Sequence, residues 1–246
     1  MTSTSKQPAA RLLSPARLVG FAEFVFRRND KSGDIFPNDE SHGFIPGDDP
    51  ERIVVMGEAN AVGLGVTRHT LGMAGHLARL MASRANGGVR WWALGVRGQR
   101  IRSTADTVAE HRELLERADL VVLMMGIVDT LSLTSKRSWG ASMASSLDLI
   151  LETIPQDATV LITCIPPMDN AGSVSRVARF AAGRQARAFN TITAELVRTR
   201  DRCTMVPFPQ SLQQDLWVPE SREGPYVGMY SAWAAAAVGE LRMAAL

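Results

Sequence analysis

Apolar and polar positions along the chain form blocks that predict strands and helices in turn. Five short apolar runs have the length and character of buried strands. These runs cover 52–57, 89–96, 120–125, 158–165 and 203–207. Helical spacing of apolar residues follows each run. The predicted helices cover about 71–83, 103–118, 139–154, 174–200 and 230–243. This alternation predicts a three-layer α/β/α domain with a five-stranded parallel sheet.

The loops at the carboxyl ends of the strands are the predicted location of a functional site, because such sheets place their sites there. They follow Met56, Val96, Met125, Ile165 and Pro207. The first loop, 57–65, is rich in glycine and resembles a phosphate cradle in composition. Its spacing fits neither GxGxxG nor a loop ending in Gly-Lys-Ser/Thr, and Glu58 would repel a pyrophosphate. Nucleotide binding is therefore not predicted.

The first 51 residues differ in composition from the rest of the chain. Residues 29–51 are polar and rich in Gly, Pro and Asp, which predicts an irregular connector before a domain at 52–246. Residues 1–28 are predicted to hold an apolar and basic helix that ends at Arg27 and Arg28. Its apolar residues cover most of its circumference. Packing on the domain, binding a partner, dimerisation and peripheral membrane contact through residues 12–28 all remain open.

Composition excludes several classes of protein. The 246 residues are 46% hydrophobic, and the net charge of +2 comes from scattered basic side chains, so no nucleic-acid partner is expected. Cys164 and Cys203 are too few for a disulfide framework or a zinc site. Two histidines without a nearby carboxylate make a poor metal site, so no metal or cofactor is expected. Arg17 and Glu23 interrupt the one stretch that is similar to a signal peptide, which favours a cytoplasmic protein, with peripheral membrane contact left open.

Five sequence blocks fall in the same order as the motifs of a known family. They read GEANAVGLGV, LGVRGQ, LMMGIVDTLSLTS, CIPPMD and YSAWAA. Their order resembles that of the SGNH, or GDSL-type, esterases and acyl hydrolases, from about residue 52 to the C-terminus. The second to fourth blocks are especially similar to a bacterial branch that reads GDSTAAGVG and GVND. The resemblance implies the flavodoxin-like α/β/α fold of that family.

The same resemblance implies that much of the family's chemistry has been lost. The family's first block reads Gly-Asp-Ser with Ser as nucleophile, and here Gly57 is followed by Glu58 and Ala59. No Ser, Thr or Cys occurs anywhere in 52–66, so a slip in alignment does not restore the nucleophile. Alanine has no group that attacks a carbonyl.

The remaining blocks are altered in a similar way. Gly98 matches the glycine of the second block, whose N–H would form a partial anion hole with that of Ala59. The third block reads Gly-x-Asn-Asp in the family, and here Gly126 and Asp129 match while Val128 replaces the Asn that donates to the oxyanion. Loss of one such donor costs on the order of 10²–10³ in rate.

The family's last block, Asp-x-x-His, supplies the catalytic base. Aligned on Trp233, this chain places Ser221 at the Asp and Gly224 at the His. All four histidines of the chain lie before residue 112, so no alignment provides that base.

The predicted function is therefore a non-hydrolytic one. The expected ligand is a small acyl, glycosyl or anionic molecule, or else a protein partner. Candidate pocket residues are Gly57, Glu58, Ala59, Asn60, Gly98, Gly126 and Asp129. One alternative is a repurposed enzyme that uses Glu58 or Asp129 as acid or base; another is a weak esterase. Asp129 is expected to bond the backbone of neighbouring turns rather than to transfer protons.

Overall fold

A six-stranded sheet forms the centre of the computed structural model, which describes residues 35–170, 176–212 and 226–244. The strands are β1 (His42–Ile45), β2 (Glu51–Gly57), β3 (Val89–Gly95), β4 (Leu120–Met124), β5 (Thr159–Thr163) and β6 (Cys203–Val206). Their order across the sheet is β1-β3-β2-β4-β5-β6. All neighbours are parallel except β1, which pairs antiparallel with β3. The predicted parallel strands and fold class are confirmed.

Seven α-helices lie in the described part of the chain. They are α1 (Met73–Ala85), α2 (Thr104–Glu110), α3 (Arg112–Leu115), α4 (Ile127–Leu131), α5 (Lys136–Thr153), α6 (Arg176–Val197) and α7 (Val227–Ala244). Short 3₁₀ turns at His69–Leu71, Ile101–Ser103, Met168–Asn170 and Gln210–Leu212 complete the connections. None of the helices within these described ranges is both long and apolar enough to cross a membrane.

Alternate side chains of the central strands build two separate cores, because successive residues of a strand point to opposite faces. Val54 and Met56 of β2 lie in the core covered by α5 and α6, whereas Ile53 and Val55 face α1 and α7. Stacked rings of Trp139 and Phe189, with centroids 4.5 Å apart, join α5 to α6. This arrangement is the predicted three-layer α/β/α architecture.

Two local features differ from the sequence prediction. Strand β1 lies inside 29–51, where an irregular connector is predicted, and it adds a sixth strand to the sheet. Its Gly43 lies directly against the indole of Trp91, a contact that short-range pattern cannot reveal. The predicted helix at 103–118 is divided into α2 and α3 at His111, whose φ of −114° and ψ of 26° are not helical. The predicted helix within 1–28 lies outside the described residues.

Candidate functional site

Two glycines allow close packing at the carboxyl edge of the sheet, Gly57 against the end of β4 and Gly126 against the turn after β5. Gly57 has a φ of +146°, and a Cβ there would lie 2.1 Å from the carbonyl oxygen of Met124. Gly126 has a φ of +123°, and its Cβ would lie 2.4 Å from Cδ1 of Ile165. Only glycine fits both the conformation and the space at these positions. Two glycines of the predicted pocket are therefore required by close packing, whatever chemistry the site performs.

Glu58 links the end of β2 to the start of α4. One carboxylate oxygen accepts the Ile127 N–H at 2.6 Å, and the other accepts the Val128 N–H at 2.8 Å. The backbone N–H of Glu58 itself donates to Met124 across the strands at 3.0 Å. Because the Glu58 side chain is buried, these bonds satisfy backbone groups that would otherwise lack a partner. The Glu58 carboxylate thus connects the first sequence block to the third.

Burial raises the pKa of Glu58 to about 8, from an ordinary value of 4.5. The N–H groups of Val128 and Ile127 lower this pKa because they stabilise the ionised form, while the negative charge of Asp129 raises it. Near neutral pH, both the protonated and the ionised form of Glu58 are therefore populated, as general acid–base catalysis requires.

Asp129 has a different environment, although it is equally buried. Its Oδ2 accepts the Ile101 N–H at 2.8 Å, and its Oδ1 accepts the hydroxyl of Thr134 at 2.8 Å. The carboxylate therefore holds the turn after β3 against the turn after α4. This is the structural role expected for Asp129 from the sequence.

The other predicted positions lie around this link but do not all converge. Ala59 is half-buried and presents only a methyl group. Val128 is half-buried, and its backbone N–H is taken by Glu58. Gly98 is exposed, and a Cβ there would meet nothing within 4 Å. An anion hole shared by the Ala59 and Gly98 amides stays a prediction, and Ser221 and Gly224 lie outside the described residues.

A small cavity lies beside Glu58, between the ends of β2, β4 and β5 and the helix α7. Its volume, including the opening to solvent, is about 190 Å³. Its lining is mainly apolar with a few polar side chains; it comprises Glu58, Asn60, Met124, Met125, Ile127, Thr163, Cys164, Ile165, Pro166 and Trp233. Of the predicted pocket residues it contains Glu58 and Asn60, and not Ala59 or Gly98. The centre of a water molecule can enter only about 10 Å³ of this space, so the interior has room for about one water molecule or the end of a small group.

Thr163, Cys164 and Trp233 contribute polar atoms to the cavity and lie outside the predicted pocket. Trp233 is fully buried, and its Nε1–H has no hydrogen-bond partner among the residues that the structure describes. A buried donor without a partner costs about 1–3 kcal/mol, so this N–H favours an acceptor beyond the described residues, such as a bound ligand. Burial raises the pKa of the Cys164 thiol, which keeps it protonated at neutral pH. In the sequence, Trp233 stands out only as the residue on which the family's last block aligns; its place in the cavity depends on tertiary packing.

The histidines considered as metal ligands are engaged elsewhere. His69 is buried, and its Nδ1 lies 2.8 Å from the carboxylate of Asp39. His76 contacts Arg79 with its Nδ1 at 3.0 Å, and burial lowers its pKa to about 4. Within the ranges that the structure describes, no three side chains of His, Cys, Asp or Glu are grouped to hold a metal ion.

Solved structures of similar fold include a lipase and an acetylxylan esterase. A lipase, Lip_vut3 from a goat rumen metagenome, aligns with a TM-score of 0.61 and 15% identity over 79% of this chain and 97% of its own. TesA aligns with a TM-score of 0.58 and 16% identity over 79% and 99%. Axe2, an acetylxylan esterase from Geobacillus stearothermophilus, aligns with a TM-score of 0.54 and 16% identity over 79% and 95%. At these identities the likeness concerns the fold.

Sequence comparison gives the family itself. No curated protein matches the chain. The model of a GDSL-like lipase/acylhydrolase family matches residues 56–232, from the end of β2 into α7. The resemblance expected from the sequence blocks is confirmed. Because this match covers well over half of the chain, the protein belongs to the GDSL-like lipase/acylhydrolase family.

Proposed function

We propose that this chain is a non-hydrolytic member of its family, which binds a small acyl-bearing ligand in the cavity beside Glu58. The observation that carries the proposal is the pairing of Glu58 with Ile127 and Val128. Its carboxylate already occupies the backbone donors of the third motif, and Ala59 next to it has no nucleophilic atom.

Covalent ester hydrolysis needs a nucleophile and a base within reach of each other. The Ala59 methyl group stands where the family has its nucleophile. No histidine is placed to act as the base. His69 is held by Asp39, and His76 lies on α1. His42 lies on β1, and His111 lies beside α2. These losses support binding without cleavage.

The cavity favours a short acyl group as the ligand. Met124 and Ile127 contribute apolar surface, and the unpaired Trp233 Nε1–H is a donor suited to a carbonyl oxygen. The small volume fits an acetyl-sized group better than a long chain. An anionic ligand would meet the charge of Glu58 once that carboxyl ionises. A glycosyl ligand would fit if it carried such an acyl substituent, and an acetylxylan esterase is among the proteins of similar fold.

The purified protein provides the test. We expect no release of p-nitrophenol from p-nitrophenyl acetate above the uncatalysed rate. We also expect acetamide and methyl acetate to show saturation-transfer NMR signals with the wild type. Trp233→Phe should abolish these signals. Trp139→Phe is the matched control and should keep them, because its indole N–H donates to Thr193 away from the cavity.

A second candidate function has one observation in its favour. The pKa of Glu58 is raised to about 8 by burial, and Glu58 lines the cavity, so it is suited to proton transfer at neutral pH. Asp129 is less suited, because it is not among the residues that line the cavity. Ester hydrolysis that disappears in Glu58→Gln would contradict the non-hydrolytic proposal and support this candidate. Hydrolysis that persists in that variant but is lost in Trp233→Phe would support a weak esterase.

A further inference from the structure

The first turns of α6 expose apolar side chains to solvent. Phe180 is 66% exposed and Val177 is 51% exposed, and Phe180 is the most exposed large apolar side chain in the described part of the chain. Single exposed apolar residues are common on protein surfaces. The neighbours of this pair distinguish it from such cases.

Exposed arginines lie on the same face of the helix. At about 100° per residue, Arg176, Val177, Phe180 and Arg184 fall within an arc of about 100°. The opposite side of α6 is buried in the core, where Ala182 and Phe189 pack. We define the lipid-facing surface as these four exposed residues. It combines two apolar and two cationic side chains.

The charges of this surface are not neutralised locally. Arg176 and Arg184 form no ion pair with any residue that the structure describes, whereas the nearby Arg187 pairs with Asp169. No acidic residue occurs in α6 before Glu195. An occupant of this surface must therefore supply negative charge together with an apolar layer that accepts a phenyl ring.

We infer that the lipid-facing surface docks on a bilayer containing anionic lipids. Arginines contact the phosphate headgroups in such a contact, while Phe180 and Val177 enter the boundary between headgroups and acyl chains. The segment 1–28 is a poor occupant, because it carries five basic residues and one acidic residue and would be repelled. Helix α6 begins at the sheet edge that holds the cavity, so docking would bring that edge towards the bilayer.

Vesicle co-sedimentation of the full chain tests this inference independently of any ligand or activity. The vesicles are phosphatidylcholine alone or phosphatidylcholine with about one quarter phosphatidylglycerol. We expect binding to the anionic vesicles that weakens as salt is added, because salt screens exposed charges. The double variant Arg176→Gln/Arg184→Gln should lower the affinity on the order of 10- to 30-fold. Phe180→Ser should lower it on the order of 10-fold.

Arg198→Gln provides the matched control. Arg198 is exposed one residue beyond the end of α6, about 27 Å along the helix axis from Phe180, and its loss should leave vesicle binding unchanged. Circular dichroism and thermal unfolding check that each variant keeps its fold. Absence of wild-type binding to anionic vesicles overturns the inference. Wild-type affinity in the Phe180 variant or in the double arginine variant overturns it as well, since binding would then use another surface.

Discussion

Buried polar side chains have different surroundings in two regions at one edge of the sheet. Beside the cavity, Glu58 has a pKa raised to about 8, and Trp233 has an unpaired indole N–H. In the packed region nearby, Asp129 accepts two hydrogen bonds, and Trp139 donates to Thr193 at 3.2 Å. All four side chains are buried. Burial alone therefore does not mark a functional group; what Glu58 and Trp233 share, and Asp129 and Trp139 lack, is a place in the lining of the cavity.

The nature of the partners sharpens this contrast. Glu58 accepts only from backbone N–H groups, which cannot act as acceptors. Asp129 accepts from one backbone N–H and from the Thr134 hydroxyl, which can reverse its role. The two carboxylates should therefore respond differently to substitution by an amide.

The largest expected difference concerns pH. The folded-state pKa of Glu58 lies above its unfolded value of 4.5, so its contribution to stability is complete below pH 4.5 and is lost as pH rises to about 8. The loss is on the order of 5 kcal/mol, at about 1.4 kcal/mol per pKa unit. Urea unfolding from pH 4 to 9 measures it.

Glu58→Gln isolates this effect from other titrating groups. The lowered pKa of His76 makes stability rise between about pH 4 and its ordinary 6.5, but it does so equally in wild type and variant. The difference between the two pH profiles therefore reports Glu58. Parallel profiles would show that this carboxyl does not retain its proton in the folded protein.

Substitution by an amide should lower the free energy of unfolding by different amounts at the two carboxylates, even at a single pH. Glu58→Gln places an NH₂ group against a backbone N–H, so we expect a loss of about 1–3 kcal/mol in the free energy of unfolding. Asp129→Asn retains one acceptor, and its NH₂ can donate to Thr134, so the loss should stay below about 1 kcal/mol. Denaturant unfolding at pH 6 measures both. Equal losses in the free energy of unfolding would contradict the expected difference between Glu58 and Asp129.

The smallest expected difference concerns the two tryptophans. Trp139→Phe removes the same atoms as Trp233→Phe, but it also breaks the bond to Thr193. Without ligand, Trp139→Phe should therefore be less stable than Trp233→Phe by about 1 kcal/mol. Thermal and denaturant unfolding of both variants measures the difference. A larger cost at Trp233 would indicate that its N–H has a partner in solution, such as a bound water.

Much of the fold could be predicted from local pattern. Apolar runs such as 120–125 are long enough to identify central strands, and α5 begins where the Ser135 hydroxyl accepts the Ser138 N–H. Strand β1 could not be predicted, because four residues between polar and Gly/Pro-containing segments carry little periodic signal. Its position depends on antiparallel pairing with β3, about fifty residues further along the chain.

The candidate site, like the fold, could be predicted only in part from the sequence. By itself, the sequence determined which chemical groups are available: Gly57 and Gly126 where packing requires glycine, Ala59 without a nucleophile, and no histidine after residue 111. Only the tertiary structure decided how the remaining groups are used. Glu58 meets Ile127 and Val128 from 69 and 70 residues away, and Trp233 reaches the same cavity from the last helix. Such partnerships depend on how elements distant in sequence pack, because hydrogen bonding and desolvation are set by neighbours in space.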